Sequence, residues 1–495
     1  MLLIQDLESL NSKPENVITD GLLSCSYKDI KNIFVHLKNF FAQQDVSTKD
    51  CLVLECENSL TSALTLLYLL EAGYSFLLVP KEVKTSSPQD LQQSVPRFCR
   101  YRIIPESLTH QGEVINWDQP ESFIFIHENQ EWNNHPQKED DNTAKLYLRT
   151  SGSTGIPKLV VHSHAKVWQN ALNCGQRLNL TSDARVAIPV PLYHMYGLGA
   201  AFLPSVSVGA CIDLQKGANL LRYLQREQEF NPNVAFMTPI FCETLLKGRK
   251  SSRPYNFTVA AGDTMKEDTF IKYESQFGCL VRLYGSTEMG VMAAASPEAP
   301  LEVRIQKLGL PVSGVQMRVE QNQGEFTNEN NDVGELWCQH EYGFEAYIDR
   351  DGKPIYENVD CNWFSTKDLG RISSDGYLEV LSRSDRSVNR DGLLVIFSDI
   401  EKAIQTIPGI EAVVVEAQGD SQRGKGLIAY CVLTKNSQLS EKEIRASCFQ
   451  LLPKRAIPEH ILLLPSLPLL SNGKVDRQTL IAIGNKTDFT NLVRR

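Results

Sequence analysis

Alternating strand and helix patterns run through most of the 495-residue chain and constrain its fold more than any other feature. The stretch CLVLECENS has the character of a buried strand. LTSALTLLYLLEAG has the spacing of a helix that ends at a glycine, and SFLLVP resembles a second strand. This repetition predicts an α/β fold of parallel-rich sheets flanked by helices. Ligands in such folds bind at the carboxyl ends of strands. The loops that we therefore expect to lie near one another follow Tyr147, Pro191, Met237 and Val259.

Length, charge and cysteine usage narrow the class of protein. A chain of 495 residues predicts more than one hydrophobic core. It has 50 Lys and Arg against 59 Asp and Glu, a net charge of −9, and no long basic run, so nucleic acid is not expected as its main partner. The start MLLIQDLESLNSK has acidic residues where a signal peptide would have basic ones, so no signal peptide is expected. Glu71 and Gly73 interrupt the most apolar window, so no membrane span is expected. The 12 cysteines form no CxxC pair, which favours reduced thiols in the cytoplasm.

The character of the chain changes near Ser384. The residues beyond it contain their own strand and helix patterns, including SDIEKAIQTIPGI and EAVVVEAQ. These patterns predict a small separate α/β domain. We therefore predict a large domain at 1–384 and a small domain at 385–495.

The stretch TSGSTGIPK, Thr150 to Lys158, places a flexible, hydroxyl-rich segment beside one lysine. Gly152 and Gly155 permit backbone shapes that point N–H groups inward, and Lys158 adds a positive charge. Further donors are the hydroxyls of Thr150, Ser151, Ser153 and Thr154. The glycine spacing is not that of a Walker loop. These residues could wrap the outer phosphates of a nucleotide, but a flexible linker has the same composition, and both interpretations stay open at this point.

Three later segments carry chemistry of a related kind. In RLYGSTEMG an aromatic ring, a hydroxyl and a carboxylate lie close together, which suits a base, a phosphate and Mg²⁺, although an exposed hairpin turn is the alternative. In the segment Trp363 to Gly392, Asp368 and Arg383 flank a two-strand pattern and could bind ribose hydroxyls; a solvated hairpin is the alternative. LLSNGKVDRQTL places Lys474 in a turn, where a solvated charge is the ordinary interpretation.

In order and spacing, these four segments resemble the core motifs of the adenylate-forming superfamily. This superfamily includes acyl- and aryl-CoA synthetases, the adenylation domains of nonribosomal peptide synthesis, and luciferases. The resemblance spans the chain from Leu146 to its end. It implies that a carboxylic acid reacts with ATP to give an acyl-adenylate and pyrophosphate, and that the acyl group then passes to a thiol. It also implies that the large domain carries out adenylation while the small domain moves.

The resemblance implies a role for each matching residue. The β- and γ-phosphates would be bound by Thr150, Ser151, Gly152, Ser153, Thr154, Gly155 and Lys158. Tyr284 would pack on adenine, Thr287 would contact the α-phosphate, and Glu288 would bind Mg²⁺ as a catalytic residue. Asp368 would accept the ribose hydroxyls with support from Arg383, and Asp385 would be the hinge. Lys474 would bridge the attacking carboxylate and the α-phosphate, where a cation offsets the repulsion between like charges.

The segment PLYHMYGLGAAFLPSVSVGA bears on the acid. Adenylation domains for α-amino acids have an aspartate in a Phe-Asp pair here, whereas this sequence has Tyr193 and His194. The segment is more similar to benzoate-type and acyl-CoA ligases. The resemblance makes His194 a candidate catalytic residue that lies, with Tyr196, near the carboxylate or ring; alternatively, His194 only packs at a strand end. The other predicted pocket residues are Phe236, Met237, Ala261, Gly262 and Gly285, and Met265 is predicted to be a core residue.

Three residues depart from the pattern of the superfamily. Leu159 and Ser382 replace glycines, and Asn389 replaces a common lysine. The change at Asn389 touches the surface used in the thioester step, so the acceptor stays open between CoA and a carrier-protein phosphopantetheine. The sequence thus predicts an ATP- and Mg²⁺-dependent ligase for an aryl or modest-sized acyl carboxylic acid. The alternatives are an amino-acid-activating enzyme and a nucleotide-binding pseudoenzyme that serves as a scaffold.

Overall fold

The computed structural model of the protein describes residues 13, 15–81, 95–109, 111–132, 143–150, 158–217, 219–321, 333–355, 363–390, 393–421, 424–469 and 475–486. The chain divides into two compact units. The first unit comprises 1–316 and 339–362, and the second comprises 317–338 and 363–495.

The strands alternate with helices along the first unit, as the sequence predicts. In chain order its strands are β1 (Val17–Thr19), β2 (Ser24–Ser26), β3 (Cys51–Cys56), β4 (Ser75–Pro80), β5 (Tyr101–Pro105), β6 (Ile124–Glu128), β7 (Lys145–Arg149), β8 (Leu159–Ser163), β9 (Arg185–Ile188), β10 (Cys211–Leu214), β11 (Val234–Met237), β12 (Phe257–Ala260), β13 (Leu280–Ser286), β14 (Gly290–Ala294) and β15 (Leu310–Pro311). There follow β16 (Val315–Glu320), β17 (Gly334–His340), β18 (Ala346–Ile348), β19 (Pro354–Ile355), β20 (Phe364–Ile372), β21 (Leu378–Arg383), β22 (Ser387–Arg390), β23 (Leu393–Ile396), β24 (Ile410–Ser421), β25 (Gly424–Leu433) and β26 (His460–Leu464).

The α-helices are α1 (Ile30–Gln43), α2 (Leu60–Ala72), α3 (His164–Arg177), α4 (Leu203–Ser207), α5 (Leu220–Phe230), α6 (Pro239–Gly248), α7 (Glu267–Phe277), α8 (Leu301–Gln306), α9 (Phe397–Gln405), α10 (Glu441–Leu451) and α11 (Arg477–Lys486). The helix predicted in LTSALTLLYLLEAG is α2. The Ser59 hydroxyl accepts a hydrogen bond from the Ser62 amide at its start, and Gly73 ends it at φ +76°, where a glycine avoids strain.

One sheet of the first unit has the strand order β15-β14-β13-β12-β11-β9-β10-β1-β2. Its neighbours from β13 to β1 are all parallel. Their carboxyl ends therefore meet at one edge, which confirms this part of the prediction for the loops after β9, β11 and β12. Aromatic and aliphatic side chains of this sheet and its helices form a buried cluster that includes Met237, Tyr273 and Met265, so Met265 is a core residue as predicted.

The other sheet of the first unit has the order β19-β18-β8-β7-β4-β3-β5-β6. Strands β7, β4, β3 and β5 run parallel, while β8 and β18 add antiparallel pairs beside β7. The loop after Tyr147 thus follows a strand of a different sheet from the other three loops. Three of the seven pairings between described strands of this sheet are parallel, whereas most pairings in the first sheet are parallel. Together with their helices, the two sheets agree with the predicted α/β fold class.

The second unit contains two antiparallel-rich sheets. One has the order β16-β17-β20-β21, and the other has the order β23-β22-β25-β24 with β26 beside β25. The second of these sheets packs α9 and α10 around its own buried apolar cluster, which includes Phe397, Ile400 and Ile444. The predicted boundary between 384 and 385 falls between the two sheets of this unit. The movement of residues 385–495 as a separate domain stays a prediction.

None of the helices in the described ranges has the combination of length and apolar character that crossing a bilayer requires.

Candidate active site

The base of the predicted phosphate loop is an antiparallel hairpin of β7 and β8. Arg149 pairs with Leu159, and the Thr150 amide donates to the Lys158 carbonyl at 3.1 Å. The Thr150 hydroxyl lies 3.4 Å from the same oxygen. The two ends of the loop are therefore held together. The predicted ligands between them, Ser151, Gly152, Ser153, Thr154 and Gly155, lie outside the described residues.

Leu159, which departs from the superfamily pattern, has a packing role. Its side chain is buried and belongs to a cluster with Tyr147, Val161 and Ile348. A glycine at this position would leave that volume unfilled. The leucine thus anchors the strand at the end of the loop.

The Gly-Ser-Thr-Glu turn between β13 and β14 is held through three successive backbone carbonyls. The carbonyl of Thr287 accepts from the His162 ring at 2.8 Å. That of Glu288 accepts from the Phe344 amide at 2.8 Å, and that of Met289 accepts from the His340 ring at 2.7 Å. The donors come from two segments distant from the turn in the sequence, β8 and the short stretch 340–344. This arrangement fixes the backbone from Thr287 to Met289.

The two histidines act as neutral donors in this arrangement. A carbonyl can only accept, so His162 carries its proton on Nε2 and His340 carries its proton on Nδ1. Burial lowers the pKa of His162 to about 4 and that of His340 to about 4. Neither ring therefore brings a positive charge to the turn at neutral pH.

Glycines and an asparagine complete the turn. A Cβ at Gly285 would lie 2.4 Å from the Gly290 carbonyl oxygen, so the close approach of β13 and β14 requires glycine there. The buried Asn170 side chain holds Val291, the residue after Gly290, through two hydrogen bonds. Its amide group donates to the Val291 carbonyl at 3.0 Å, and its oxygen accepts from the Val291 amide at 2.9 Å. Gly285, a predicted pocket residue, is exposed.

Tyr347 connects two predicted site residues. Its hydroxyl donates to Oε1 of Glu288 at 2.9 Å, and Nζ of Lys158 lies 5.3 Å from the centre of its ring. Burial, followed by the nearby Glu288 carboxylate, raises the pKa of Tyr347, so the hydroxyl keeps its proton. The structure thus brings Lys158, Thr287 and Glu288 together. The predicted adenine-packing residue, Tyr284, is half-buried on β13 of the same hairpin.

The loop after β9, which carries His194, is anchored by the buried Asn58 at the end of β3. The Asn58 amide donates to the carbonyls of Ile188 and Val190, each at 2.9 Å, and its oxygen accepts from the Leu192 amide at 3.0 Å. This side chain therefore joins the two sheets of the first unit at the edge where their strands end. The His194 side chain is exposed, and its ring centre lies 4.6 Å from that of Tyr193.

Tyr196 begins a short π-helix, Tyr196–Phe202. Its hydroxyl lies 2.9 Å from the Met237 carbonyl and 2.9 Å from the Val259 carbonyl, which are at the ends of β11 and β12. The single hydroxyl proton is shared between these acceptors. The Tyr196 ring, which packs edge-on against Phe236, is the part of the side chain that could contact a ligand. One-turn π-helices are frequent at functional sites.

The remaining predicted pocket residues lie at the ends of the same strands. Phe236 and Met237 end β11 and are fully buried. Ala261 and Gly262 follow β12, and Gly262 has a φ of +93°, which favours glycine. Their role as pocket walls stays a prediction.

The second unit holds the predicted ribose site. Asp368 on β20 pairs across the sheet with Arg383 on β21, and Nη1 of Arg383 lies 3.6 Å from Oδ1 of Asp368. Lys367 has a φ of +60°, a conformation that side chains rarely adopt, and the pairing shifts register immediately after Leu369. Strained backbone of this kind clusters at functional sites.

The predicted hinge and the predicted catalytic lysine also belong to the second unit. Asp385 lies in a one-turn 3₁₀-helix, Ser384–Arg386, with Oδ1 3.7 Å from Nε of Arg383. Leu469 and Val475 form an antiparallel bridge. Lys474 lies outside the described residues, so its role stays a prediction.

The donor set suits a magnesium ion that arrives with a nucleotide. Within the described ranges no group of three or more His, Cys, Asp or Glu side chains could hold a metal ion. Mg²⁺ on nucleotides commonly takes one or two carboxylates and completes its shell with phosphate oxygens and water. The Glu288 carboxylate uses one lone pair of Oε1 for Tyr347, and its remaining lone pairs can serve as ligands.

The residues that position the site lie outside the motifs of the sequence. Asn58 could have been found, since it is a polar residue directly after a buried strand. His162, His340 and Tyr347 gave no usable pattern because their roles depend on the pairing of strands far apart in the sequence.

Comparison with known proteins agrees with the fold and the motifs. Residues 39–348, more than half of the chain, match the family model described as AMP-binding enzyme, and residues 399–474 match the AMP-binding enzyme C-terminal domain. The anguibactin system regulator of Vibrio anguillarum is 24% identical over 96% of this chain and 46% of its own length. The chain therefore spans about half the length of that relative.

Two further comparisons cover most of both chains. The 2-succinylbenzoate–CoA ligase of Oceanobacillus iheyensis is 25% identical over 69% of this chain and 70% of its own. The crystal structure of ATP-bound MatB from Rhodopseudomonas palustris superposes with a TM-score of 0.81 over 98% of this chain and 99% of its own, at 19% identity, which shows a shared fold. On the family match and the motif residues placed above, the chain belongs to the AMP-binding enzyme family, within the adenylate-forming superfamily.

Proposed function

We propose that the protein activates an aryl or modest-sized acyl carboxylic acid as its adenylate and transfers the acyl group to a thiol. The observation that carries the proposal is the fixed turn from Thr287 to Met289, with Glu288 and Lys158 on either side of Tyr347. A carboxylate and a cation at one rigid place suit the polyphosphate of a nucleotide. The similarity to the Oceanobacillus relative, a 2-succinylbenzoate–CoA ligase, supports the same reaction class.

The proposed reaction joins two anions. A carboxylate oxygen of the acid attacks the α-phosphorus of ATP, the bond from that phosphorus to the bridging oxygen breaks, and pyrophosphate leaves with the electron pair. Lys158 and the loop after Thr150 would bind the β- and γ-phosphates, and Thr287 would contact the α-phosphate. Magnesium, when bound, neutralises the polyphosphate charge. Glu288 would hold that ion.

The second unit would supply the remaining contacts. Asp368, supported by Arg383, would accept the ribose hydroxyls, and the cross-strand ion pair between them suits that role. Lys474 would reach the attacking carboxylate. We propose that residues from Asp385 onward move as a domain between adenylation and thiol transfer. A lysine on a mobile domain can be delivered for one step and withdrawn for the next.

The acid would bind beside His194 and the ring of Tyr196. Position 194 is a histidine, where enzymes that activate α-amino acids have an aspartate. The segment 191–210 contains no carboxylate to pair with the ammonium group of an amino acid, so an α-amino acid is disfavoured. The acceptor is CoA or the phosphopantetheine arm of a carrier protein.

We also propose a reducing, cytoplasmic location. The 12 cysteines form no CxxC pair, and the buried sulfurs of Cys51 and Cys99 lie 3.5 Å apart, so the state of this pair would report the compartment. An oxidising compartment would favour a bond between thiols so close together. Alkylation of the freshly extracted protein, followed by mass spectrometry, would reveal a disulfide if the location were wrong.

The test of the proposed function is pyrophosphate release over a panel of benzoates, fatty acids, 2-succinylbenzoate and α-amino acids, with CoA and with a holo carrier protein in parallel. Acid-dependent release is expected for at least one aryl or acyl acid. Release with amino acids alone would replace the proposal with amino-acid activation. ATP binding without release for any acid would point to a scaffold and contradict the proposal.

A further inference from the structure

We propose that Tyr347 is a positioning residue that orients the Glu288 carboxylate toward the magnesium–nucleotide complex and holds Lys158 beside it. This inference rests on the proposed function, since it assumes that Glu288 binds the metal. Tyr347 lies on β18, outside the four motif segments of the superfamily.

The backbone around Glu288 leaves only the side chain to be positioned. His162, the Phe344 amide and His340 already hold the carbonyls of Thr287, Glu288 and Met289. A glutamate side chain has three rotatable bonds, and fixing it costs conformational entropy. The hydroxyl of Tyr347, 2.9 Å from Oε1, restricts that motion before a ligand arrives.

Tyr347 is itself held rigidly. It pairs with Val160 across β18 and β8, and its ring packs edge-on against Phe344 at 4.8 Å between centres. Phe344 is the residue whose amide holds the Glu288 carbonyl. The same short segment therefore fixes both the backbone and the carboxylate of Glu288.

The ring of Tyr347 has a second contact. Nζ of Lys158 lies 5.3 Å from its centre, within the range of a cation–π interaction. A single side chain thus sets the separation between the cation meant for the terminal phosphates and the carboxylate meant for the metal. The hydroxyl contacts Glu288 and the ring contacts Lys158. Substitutions that remove only the hydroxyl, or the whole ring, can therefore separate the two contacts.

The experiment measures the affinity of the protein for an ATP analogue with a methylene bridge between the α- and β-phosphates. Calorimetric titrations in Mg²⁺ and in EDTA give the factor by which the metal improves binding. Tyr347→Phe removes the hydroxyl and keeps the ring. It should reduce that factor about 10- to 100-fold, as loss of an outer partner of a metal ligand does, while the affinity in EDTA stays unchanged.

Tyr347→Leu should reduce the same factor and also weaken binding in EDTA, because Lys158 loses the ring. Tyr27→Phe is the matched control, since it removes a buried tyrosine hydroxyl that donates to the Ala210 carbonyl at 2.7 Å, just before β10. It should leave both affinities unchanged. Glu288→Gln should abolish the metal factor, and Tyr347→Phe added to it should have no further effect.

An unchanged metal factor in Tyr347→Phe would overturn the positioning role and leave the proposed function intact. A uniform loss of affinity with and without metal would also overturn it, because that is the result of general destabilisation. If the unmodified protein failed to bind the analogue, or gained nothing from Mg²⁺, the metal role of Glu288 would fall as well. Pyrophosphate release with the acid panel then decides separately whether the proposed function survives.

Discussion

Replacement of Asn58 should loosen the loop that carries His194 and raise the KM for the acid. Asn58 is 5% exposed and makes three hydrogen bonds to the backbone of the loop after β9. In Asn58→Ala the Ile188 carbonyl keeps its hydrogen bond from the Gln215 amide, so the cost falls on the Val190 carbonyl and the Leu192 amide. Leaving each of two buried groups without its partner costs about 1.5 kcal/mol, which gives a loss of about 3 kcal/mol in the free energy of unfolding of the first unit.

The functional effect should be specific to the acid. A displaced His194 loop should raise the KM for the acid about tenfold or more, because small misplacements near reacting groups are costly. The KM for ATP should change little, since the turn at Glu288 is held by other residues. Urea unfolding gives the stability, and pyrophosphate release at varied acid and ATP gives the two KM values.

Asn129 offers a matched control for this prediction. Its amide also donates to two carbonyls, those of Pro96 at 3.2 Å and Cys99 at 2.9 Å, in the segment that precedes β5. Asn129→Ala should lower stability without changing the KM for the acid. The reasoning is refuted if Asn58→Ala unfolds like the unmodified protein, or if it raises the KM for ATP as much as that for the acid.

Three further substitutions or conditions have defined outcomes. The Tyr196 hydroxyl is shared between two backbone carbonyls, so Tyr196→Phe should lower the free energy of unfolding by about 1 kcal/mol. Because this hydroxyl bonds to the backbone, Tyr196→Phe should raise the KM for the acid less than His194→Ala does. The reverse order of the two KM values would contradict this geometry. Stability should fall as the pH drops from 6.5 toward 4, since the unfolded chain takes up a proton on His162 that the folded protein refuses; the loss is on the order of 3 kcal/mol. The free energy of unfolding, measured with urea at each pH in this window, should depend less steeply on pH in His162→Gln. An equal pH dependence in the variant and the unmodified protein would refute the assignment. Lys474→Ala should reduce adenylation by orders of magnitude and spare thioester formation from supplied acyl-adenylate; equal loss of both, measured in separate half-reaction assays, would refute its assignment to one step.

Local patterns predicted the fold well where they were strong. The runs CLVLEC, SFLLVP and VAFM became β3, β4 and the parallel strand β11, because apolar segments of this length must be buried on both faces. The helix α2 ends at Gly73, as its sequence predicted. The assignment of strands to sheets could not be predicted, since the partners of β8 include β18, far along the chain.

The site was predictable only in part for the same reason. Motif spacing pointed to Lys158, Glu288 and the Asp368–Arg383 pair, but the groups that hold Lys158 and Glu288 came from elsewhere. His162 appears in the sequence as a polar residue near the end of a mostly apolar strand, and only the fold places it 2.8 Å from the Thr287 carbonyl. Leu159 was unexplained until its burial showed that it fills the core beside Ile348. Non-local packing, rather than composition, decides such roles.

The most direct test of the account is acid-dependent exchange of radiolabelled pyrophosphate into ATP. This exchange requires reversible formation of an acyl-adenylate and does not depend on the identity of the thiol acceptor. We predict exchange with at least one aryl or acyl acid, and its loss in Glu288→Gln. Binding of ATP without exchange for any acid, or exchange that persists unchanged in Glu288→Gln, would contradict the account.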